Sequence, residues 1–394
     1  MYPQSSGSGM RTVEIDGLPV GDGHPTRVMS VLNMSSNSGY KPSVYLDPAE
    51  AADAIEENLV PAGADIIDVG LQSANPKYES KPVEMEKDRL EEVGPLVDEL
   101  DADVPLSLET RYAEVAEEAI GYGFDLINDV CGFADPDMKG VVEDHDMPVV
   151  KMASPPDLAR PGALKTIDDI FEALQRDGFT DKTIIDPAFG GWYDGKEFED
   201  NWEMFRRLRE FRAFDRPMLT ATNREDFLGD LADQPETENQ LAVSLAAATM
   251  EVERGAHIIR THDTRETHDV VKVADALGDE RTTRPETDSG PTVAELTDVT
   301  LREVARHQAL GETVAGGTDD GATLTFLLGD LTDDARASIR AVAEVTDVVV
   351  VEKDSGSLYV GGSAAALKVV TDSLAEDGHR ELAGALRTAL SRHV

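Results

Sequence analysis

The sequence has a single cysteine, Cys131, and no long apolar run, and each shortage excludes a class of protein. One cysteine rules out disulfide bonds within the chain and zinc sites built from cysteine ligands. No stretch reaches the roughly 18 consecutive apolar residues of a membrane-spanning helix. The beginning of the chain, MYPQSSGSGMR, lacks the apolar core of a signal peptide, and residues 1–20 are predicted to be a flexible lead-in. These features predict a soluble, cytoplasmic protein.

Basic residues are also scarce. The chain of 394 residues has 36 Lys and Arg against 78 Asp and Glu, which gives a formal net charge of −42. Binding to nucleic acid is therefore not expected, because no basic stripe is present to meet phosphates. The carboxylates are spread over predicted helix faces, which is typical of a halophilic protein, since at about 1 M salt the Debye length falls to roughly 3 Å and screens self-repulsion. An acidic interaction surface is the alternative.

Short runs rich in Val and Ile recur along the first 278 residues, and a helical pattern separates each run from the next. Eight runs are predicted as strands: 27–33, 64–70, 104–110, 125–130, 147–153, 182–188, 216–223 and 256–263. Between them, segments such as 47–63 and 85–100 repeat apolar residues at helical spacing. Strands that are apolar on both faces and alternate with helices indicate a buried parallel sheet. Eight such units in about 250 residues favour an α/β fold, a closed (β/α)8 TIM barrel, which we place at residues 21–278.

Polar side chains stand at the carboxyl ends of these predicted strands, where such barrels carry their active sites. They are Asn33, Asp68, Glu109, Asn128, Asp129, Lys151, Asp186, Asn223, Arg260, His262 and Asp263. The alternative is that each one only caps a loop. Their repetition on nearly every strand favours a shared site.

The chemistry of these residues suggests a ligand with a flat base at one end and a diphosphate at the other. Asp186, together with Asn128 and Glu109, can accept paired hydrogen bonds from the amidine-like edge of a heterocycle. Arg260 and His262 supply cationic donors for a phosphate or diphosphate. Beside that phosphate, Asn33 offers a neutral oxygen for a Mg²⁺ ion that keeps most of its waters.

Seven segments resemble the dihydropteroate synthase family in order and spacing. They are SVLNMSSNSG, GADIIDVGLQS, SLETRYAEVA, INDVCGF, IIDPAFG, NREDFLG and HIIRTHD, and they cover roughly residues 11–278. Members of that family are transferases of folate biosynthesis. They join 6-hydroxymethyl-7,8-dihydropterin diphosphate to 4-aminobenzoate, forming 7,8-dihydropteroate and releasing diphosphate with the help of Mg²⁺.

The resemblance implies roles for two groups of residues. The pterin group consists of Glu109, Asn128, Lys151, Met152, Asp186 and Glu225. The diphosphate group consists of Asn33, Ser73, Arg260 and His262. Asn33, Arg260 and His262 are expected to be the catalytic residues, with Asn33 also holding the metal. The loop after Asn33 is expected to close over 4-aminobenzoate.

Three loops depart from the family pattern. The loop after the second strand reads Ser73, Ala74, Asn75, Pro76 where the family has Ser-Thr-Arg-Pro. The first loop lacks the Asp and Phe of the family's Thr-Pro-Asp-Ser-Phe-Ser. After the seventh strand, Asn223, Arg224 and Glu225 replace Ser-Arg-Lys. The pterin pocket is therefore expected to be kept in part and the 4-aminobenzoate side to be rebuilt.

Glu225 stands where the family has a lysine, and Lys151 stands where the family usually has a histidine. The fifth and seventh barrel strands contribute side chains to the same interior layer. Our hypothesis is that Lys151 reaches Glu225 or the ligand and supplies the missing amine. The alternative is that Glu225 turns outward onto an acidic surface.

Beyond the barrel, residues 279–292 are predicted to be a polar linker and residues 293–394 a small α+β domain of unknown role. For this domain we expect homodimer formation or packing against the barrel. Three functions remain open. Besides the synthase, they are a methyltransferase-type pterin barrel with a corrinoid partner, which would not need Arg260 and His262, and a pterin-binding relative with another acceptor or no catalysis.

Overall fold

The computed structural model describes residues 12–36, 40–74, 82–191, 195–278, 282–283, 293–294, 296–311, 317–329, 331–352 and 358–393. Among the helices of these ranges, none is long and apolar enough to cross a membrane. Contacts divide the chain into two compact units. The first consists of Met1–Leu208 and Asp215–Glu295, and the second of Arg209–Phe214 and Leu296–Val394.

Eight parallel strands form a ring in the first unit. After a hairpin of β1 (Val13–Ile15) and β2 (Leu18–Val20), the ring strands are β3 (Arg27–Asn33), β4 (Ile66–Gly70), β5 (Leu106–Thr110), β6 (Leu126–Asp129), β7 (Val149–Met152), β8 (Thr183–Asp186), β9 (Leu219–Thr220) and β10 (Ile258–Thr261). They pair in the order β8-β7-β6-β5-β4-β3-β10-β9. A parallel bridge between Ile185 and Met218 closes the ring. Each strand lies within one of the eight predicted runs, so the TIM-barrel prediction is confirmed.

Helices pack against the outer side of the ring, where Ile67, Leu108 and Ile127 of the strands meet Leu90 and Val115 of the helices. The α-helices of this unit are Pro48–Ala54, Val60–Ala62, Val83–Val93, Leu96–Glu99, Ala113–Tyr122, Met138–Asp144, Ile167–Gln175, Phe198–Arg206, Asp226–Leu231, Leu241–Glu253 and Thr264–Leu277. A π-helical turn spans Ile55–Leu59, and 3₁₀ helices span Lys41–Ser43 and Thr237–Asn239. A further 3₁₀ helix, Leu208–Phe214, belongs to the second unit except for its first residue. The start of the helix Ile167–Gln175 is determined locally, by a capping box between Thr166 and Asp169.

The flexible lead-in expected over residues 1–20 is wrong for residues 13–20, which form the β1–β2 hairpin. Asp16 and Gly17 both have positive φ, 43° and 77°, as an Asp-Gly hairpin turn requires. Val13, Ile15 and Val20 are buried in one cluster with interior residues from the amino-terminal halves of the ring strands. The hairpin therefore covers that end of the barrel. Residues 1–11 lie outside the described residues.

Alternation along each strand decides which side chains enter the barrel. In β7, Val150 belongs to the interior cluster, whereas Val149 packs against the helices. Met152 consequently points inward and Lys151 points outward. On the other strands, the same alternation directs six polar side chains into the barrel: Asn33, Asp68, Glu109, Asn128, Asp186 and Arg260.

Two short strands, β11 (Thr282–Thr283) and β12 (Val293–Ala294), pair antiparallel. The remaining residues of the predicted linker, 279–281 and 284–292, lie outside the described residues. The second unit is an α+β fold, as predicted, although it begins at Leu296 rather than 293 and also takes in Arg209–Phe214. Within it, the buried Glu303 accepts hydrogen bonds from Arg212 Nε (2.9 Å) and Nη2 (2.8 Å).

The sheet of the second unit has three antiparallel strands, β13 (Thr323–Leu328), β14 (Val349–Glu352) and β15 (Leu358–Ser363), in the order β13-β15-β14. Its α-helices are Leu301–Leu310, Asp333–Ala343, Ala364–Glu376 and Arg380–Ser391, with a 3₁₀ helix at Thr318–Asp320. Their apolar faces form one core that includes Ile339, Leu358 and Leu367.

Candidate active site

A fully buried carboxylate, Asp68, lies among the polar side chains inside the barrel. It accepts hydrogen bonds from Ser107 Oγ at 2.7 Å, from Asn128 Nδ2 at 3.1 Å and from Arg260 Nε at 2.7 Å. These donors come from three different strands, β5, β6 and β10. The sequence placed Asp68 at a strand end without giving it a role, and the structure shows that it orients two of the predicted site residues.

Arg260 joins Asp68 to Glu109, because its Nη2 also lies 2.6 Å from Glu109 Oε2. Burial raises the pKa of Glu109 to about 7, and the nearby Arg260 guanidinium opposes this rise. For Arg260, burial lowers the pKa, but the carboxylates of Asp68 and Glu109 outweigh it and raise the pKa above its ordinary value. A permanent cation therefore stands between two carboxyl groups at the mouth of the barrel.

Asp186 provides a third carboxyl group inside the barrel. Its Oδ1 accepts a hydrogen bond from Ala188 N at 2.7 Å. Burial raises the pKa of Asp186 to about 6, against the opposing influence of that hydrogen bond, Arg260 and Lys196. Ala188 has a φ of 61°, a left-handed conformation that non-glycine residues rarely adopt and that often marks functional sites.

Asn33, Ser43 and His262 form a hydrogen-bonded chain on another part of the rim. Asn33 Nδ2 donates to Ser43 Oγ at 3.0 Å, and Ser43 Oγ lies 2.9 Å from His262 Nδ1. Burial, assisted by the nearby Arg260, lowers the pKa of His262 to about 3. In the site without a ligand, burial therefore favours the neutral imidazole of His262 over the cationic donor expected from the sequence.

Tyr40 packs over the same region. Its ring lies 5.1 Å from the ring of His262 and 4.7 Å from the guanidinium of Arg224. Arg224 in turn makes a two-point ion pair with Asp263, at 2.8 Å from Nε and 2.9 Å from Nη2. Asn223 adds a hydrogen bond from Nδ2 to Asp263 at 3.0 Å. This group closes one side of the mouth with an aromatic ring held on a fixed cation.

The hypothesis that Lys151 reaches the ligand or Glu225 is wrong. Its amine lies on the outer side of the barrel and donates to the carbonyl oxygens of Leu174, Arg176 and Gly178, at and just beyond the end of the helix Ile167–Gln175. The ring of Phe133 covers it at 4.7 Å. Lys151 therefore stabilises the carboxyl end of a helix, where a cation is favourable.

Glu225 lies instead beside the loop that follows β8. A Cβ atom added to Gly190 would come within 2.8 Å of Glu225 Oε2, so the carboxylate packs directly on that glycine. Glu225 also acts electrostatically on Lys196, which the sequence analysis did not single out. Met152 points inward as expected, and Ser73 follows β4 on the same rim of the barrel.

Comparison with known proteins identifies the family of this chain. Residues 29–262 match the model of the pterin binding enzyme family. The dihydropteroate synthase of Bacillus subtilis is 30% identical over 260 residues, covering 64% of this chain and 88% of that protein. The chain belongs to the dihydropteroate synthase family.

Solved structures of that family share the barrel. The dihydropteroate synthase of Coxiella burnetii in complex with pteroic acid is 31% identical and covers 68% of this chain and 97% of that one, with a TM-score of 0.56. That of Thermus thermophilus in complex with 4-aminobenzoate is 30% identical and covers 68% and 100%, with a TM-score of 0.57.

A longer relative comes from Halobacterium salinarum. This probable bifunctional folylpolyglutamate synthase/dihydropteroate synthase is 33% identical over 268 residues, covering 65% of this chain. The match spans only 32% of that relative, and the same share of a similar protein from Haloferax volcanii.

The Mg²⁺ that the dihydropteroate synthase family implies can be tested against the residues present. In the described part of the chain, no three His, Cys, Asp or Glu side chains form a metal site. Asn33 offers one amide oxygen, and a Cβ atom at Gly70 would lie 3.2 Å from it, so the glycine leaves it room. Mg²⁺ commonly takes few protein ligands and completes its shell with substrate phosphates and water. This sparse donor set fits an ion that arrives with a diphosphate.

Proposed function

We propose that this protein is a dihydropteroate synthase that joins 6-hydroxymethyl-7,8-dihydropterin diphosphate to 4-aminobenzoate. The observation that carries the proposal is the cluster around Asp68, which brings Glu109, Asn128 and Arg260 together from three strands. Asp186, at the end of β8, points into the barrel and adds a carboxylate that can accept hydrogen bonds from the edge of a heterocycle. A site of this kind suits a flat heterocycle that offers several hydrogen-bond donors.

Each group then has a chemical task. Asp186, Asn128 and Glu109 hold the pterin, with Met152 against its ring. Arg260 neutralises the diphosphate, and neutral His262 contributes a hydrogen bond without adding charge. Ser73 lies on the same rim, and Asn33 would hold Mg²⁺, which would supply charge neutralisation for the leaving group.

The reaction needs stabilisation of a leaving group more than a strong base. The neutral amine nitrogen of 4-aminobenzoate forms a bond to the methylene carbon of the pterin while the bond from that carbon to the diphosphate oxygen breaks. The amine then loses one proton. Negative charge develops on the diphosphate as the carbon–oxygen bond breaks. A fixed positive group at that position, such as Arg260, therefore lowers the activation free energy of this step most. No covalent intermediate with a side chain is required.

We extend the proposal to the setting of the protein. Its net charge of −42 supports a halophilic enzyme, and its single cysteine supports a cytoplasmic one. Homodimer formation is supported by apolar side chains exposed on the sheet of the second unit, Leu327, Val349 and Val351. Sedimentation velocity over a concentration series tests the dimer.

The activity test uses the purified chain with both substrates and Mg²⁺ in high salt. Mass spectrometry is expected to detect 7,8-dihydropteroate, in step with diphosphate release. A folded protein that releases no product and does not rescue a strain lacking dihydropteroate synthase refutes the proposal. Supplying other arylamines in the same assay decides whether the rebuilt loop around Tyr40 changes the acceptor.

A further inference from the structure

Lys196 is a buried amine next to the proposed pterin site, and the mechanism above gives it no task. Only 9% of its surface is exposed. Its Nζ donates to Ala188 O at 3.0 Å, while Ala188 N donates to Asp186 Oδ1 at 2.7 Å. Ala188, whose backbone has a positive φ, thus hydrogen-bonds through its carbonyl oxygen to this amine and through its N–H to the carboxylate of Asp186.

The charges around Lys196 come from three carboxylates. Burial lowers the pKa of Lys196 to about 8, and Glu225, Asp200 and Asp186 act against that fall. The amine therefore remains mostly protonated near pH 7. It is a buried cation on the loop that follows β8, within electrostatic reach of Glu225, Asp200 and Asp186.

A comparison of the two buried lysines shows which one is available to a ligand. An ammonium group has three N–H donors. Lys151 directs its amine to three backbone carbonyls, so its donors are satisfied by the protein. Lys196 has one acceptor, Ala188 O, within the described ranges. Two of its donors are left for another partner, and a buried donor without one is costly.

The substrate of the proposed reaction offers a matching partner. The 2-amino-4-oxo edge of a pterin presents two donors, the amino group and the ring N–H, followed by one acceptor, the carbonyl oxygen. A carboxylate adjoining an ammonium group is complementary to this sequence of donors and acceptor. The Asp186–Ala188–Lys196 arrangement supplies both from one short segment.

We propose that Lys196 is a substrate-binding residue that donates to the 4-oxo group of the pterin while Asp186 accepts from the adjacent N–H groups. This inference rests on the proposed function and deepens it. Lys196 thereby contributes to selecting 4-oxo pteridines over 2,4-diamino pteridines, in which an amino donor replaces the carbonyl acceptor and faces the amine, while the ring nitrogen also loses the hydrogen that Asp186 accepts.

Titration calorimetry with 6-hydroxymethylpterin and 2,4-diamino-6-hydroxymethylpteridine tests this selection. The wild type is expected to bind the 4-oxo ring more tightly. Lys196→Met is expected to weaken 4-oxo binding about 10- to 100-fold, the loss typical of a charge-assisted hydrogen bond, and to reduce the preference to the part that comes from the ring N–H at Asp186. Lys196→Arg, which keeps a cationic donor, is expected to keep part of the preference for the 4-oxo ring. Should Lys196→Met fail to fold, Lys196→Gln carries the test, because its amide keeps a polar donor in the buried site but carries no charge.

Lys151→Met is the matched control, since it removes another buried amine on the opposite side of the barrel wall. It is expected to lower the melting temperature and to leave the preference for the 4-oxo ring in place. Wild-type binding together with an unchanged affinity and preference in folded Lys196→Met overturns this inference alone. A wild type that binds neither pteridine overturns the proposed function, and the inference with it.

Discussion

Asp68 and Arg260 form an ion pair inside the barrel, with Nε of the arginine 2.7 Å from Oδ2 of the carboxylate. Asp68 is fully buried, and a buried carboxylate is tolerated when charged and polar donors satisfy its oxygens. Ser107 and Asn128 complete that set. Asp68 is thus a positioning residue that fixes the guanidinium and the amide before a ligand arrives.

Asp68→Asn is expected to lower the free energy of unfolding by about 3 kcal/mol, because it leaves a buried guanidinium with one of its two carboxylates. Glu109→Gln is the matched variant. It removes the other carboxylate, which is partly exposed, while Asp68 still holds Arg260, so a smaller loss is expected. Denaturant unfolding measures both. Equal stability of Asp68→Asn and the wild type would show that the pair contributes nothing.

Asp186→Asn is expected to weaken pterin binding by about 1.5–3 kcal/mol, the worth of hydrogen bonds to a charged group. Its stability should not fall, since burial raises the pKa of Asp186 to about 6 and its ionised form is unfavourable in the folded protein. Stability from a carboxyl group of this kind is present below its ordinary pKa and is lost as pH rises through about 6.

The pH dependence of binding has the opposite sign. Pterin affinity in the wild type is expected to fall as pH drops through about 6, because the carboxylate that accepts the ring donors becomes protonated. In Asp186→Asn, calorimetry should show that the step near pH 6 is lost, so that any remaining change lies near pH 7, where Glu109 titrates. Unchanged affinity in the folded variant would remove Asp186 from the site.

The strands of this barrel could be predicted because each is a short apolar run, buried on both faces, between helical segments. Because both faces of each strand are buried, however, the sequence does not show which of its side chains point into the barrel and which point towards the helices. All four residues of β7 are buried, so no polar alternation in Val149–Met152 shows which side chains enter the barrel. The sequence therefore predicts the wrong side of the strand for Lys151. The β1–β2 hairpin did carry a readable signal, Asp16-Gly17 between alternating apolar residues.

Residues on loops were harder to predict. Lys196 and Tyr40 come from loops and Ser43 from a short 3₁₀ helix, and the conformations of these segments depend on contacts with distant residues, such as that of Ser43 with His262. Their polarity does not reveal these partners. The neutral state of His262 likewise depends on burial and on how close Arg260 lies in the fold, and the segment HIIRTHD shows neither the burial nor that distance.

Tyr40→Ala is expected to raise the KM for 4-aminobenzoate about 10-fold while leaving pterin affinity nearly unchanged. The ring packs on Arg224 at 4.7 Å and on His262 at 5.1 Å, and a cation–π contact of this kind is worth about 0.5–2 kcal/mol. Tyr40→Phe keeps the ring and serves as the control. Steady-state kinetics with each substrate varied in turn separates the two effects. Equal KM values in Tyr40→Ala and Tyr40→Phe would exclude a role for the ring.

Salt is expected to increase the rate of the proposed reaction. Both substrates are anions, and a protein with a net charge of −42 repels them at low ionic strength, so capture depends on the local cations around Arg260. Between about 0.1 M and 1 M salt the Debye length shrinks from roughly 10 Å to 3 Å. Distant carboxylates are then screened, while contacts at the site persist.

The measurement is kcat/KM over that range of KCl, with circular dichroism at each point to confirm that the protein is folded. The neutral acceptor 4-aminobenzamide is the control, and its KM is expected to depend less on salt than that of 4-aminobenzoate, because it carries no charge for the protein to repel. A rate that falls steadily with salt in the folded protein would contradict both electrostatic repulsion of the substrates and the proposal of a halophilic enzyme.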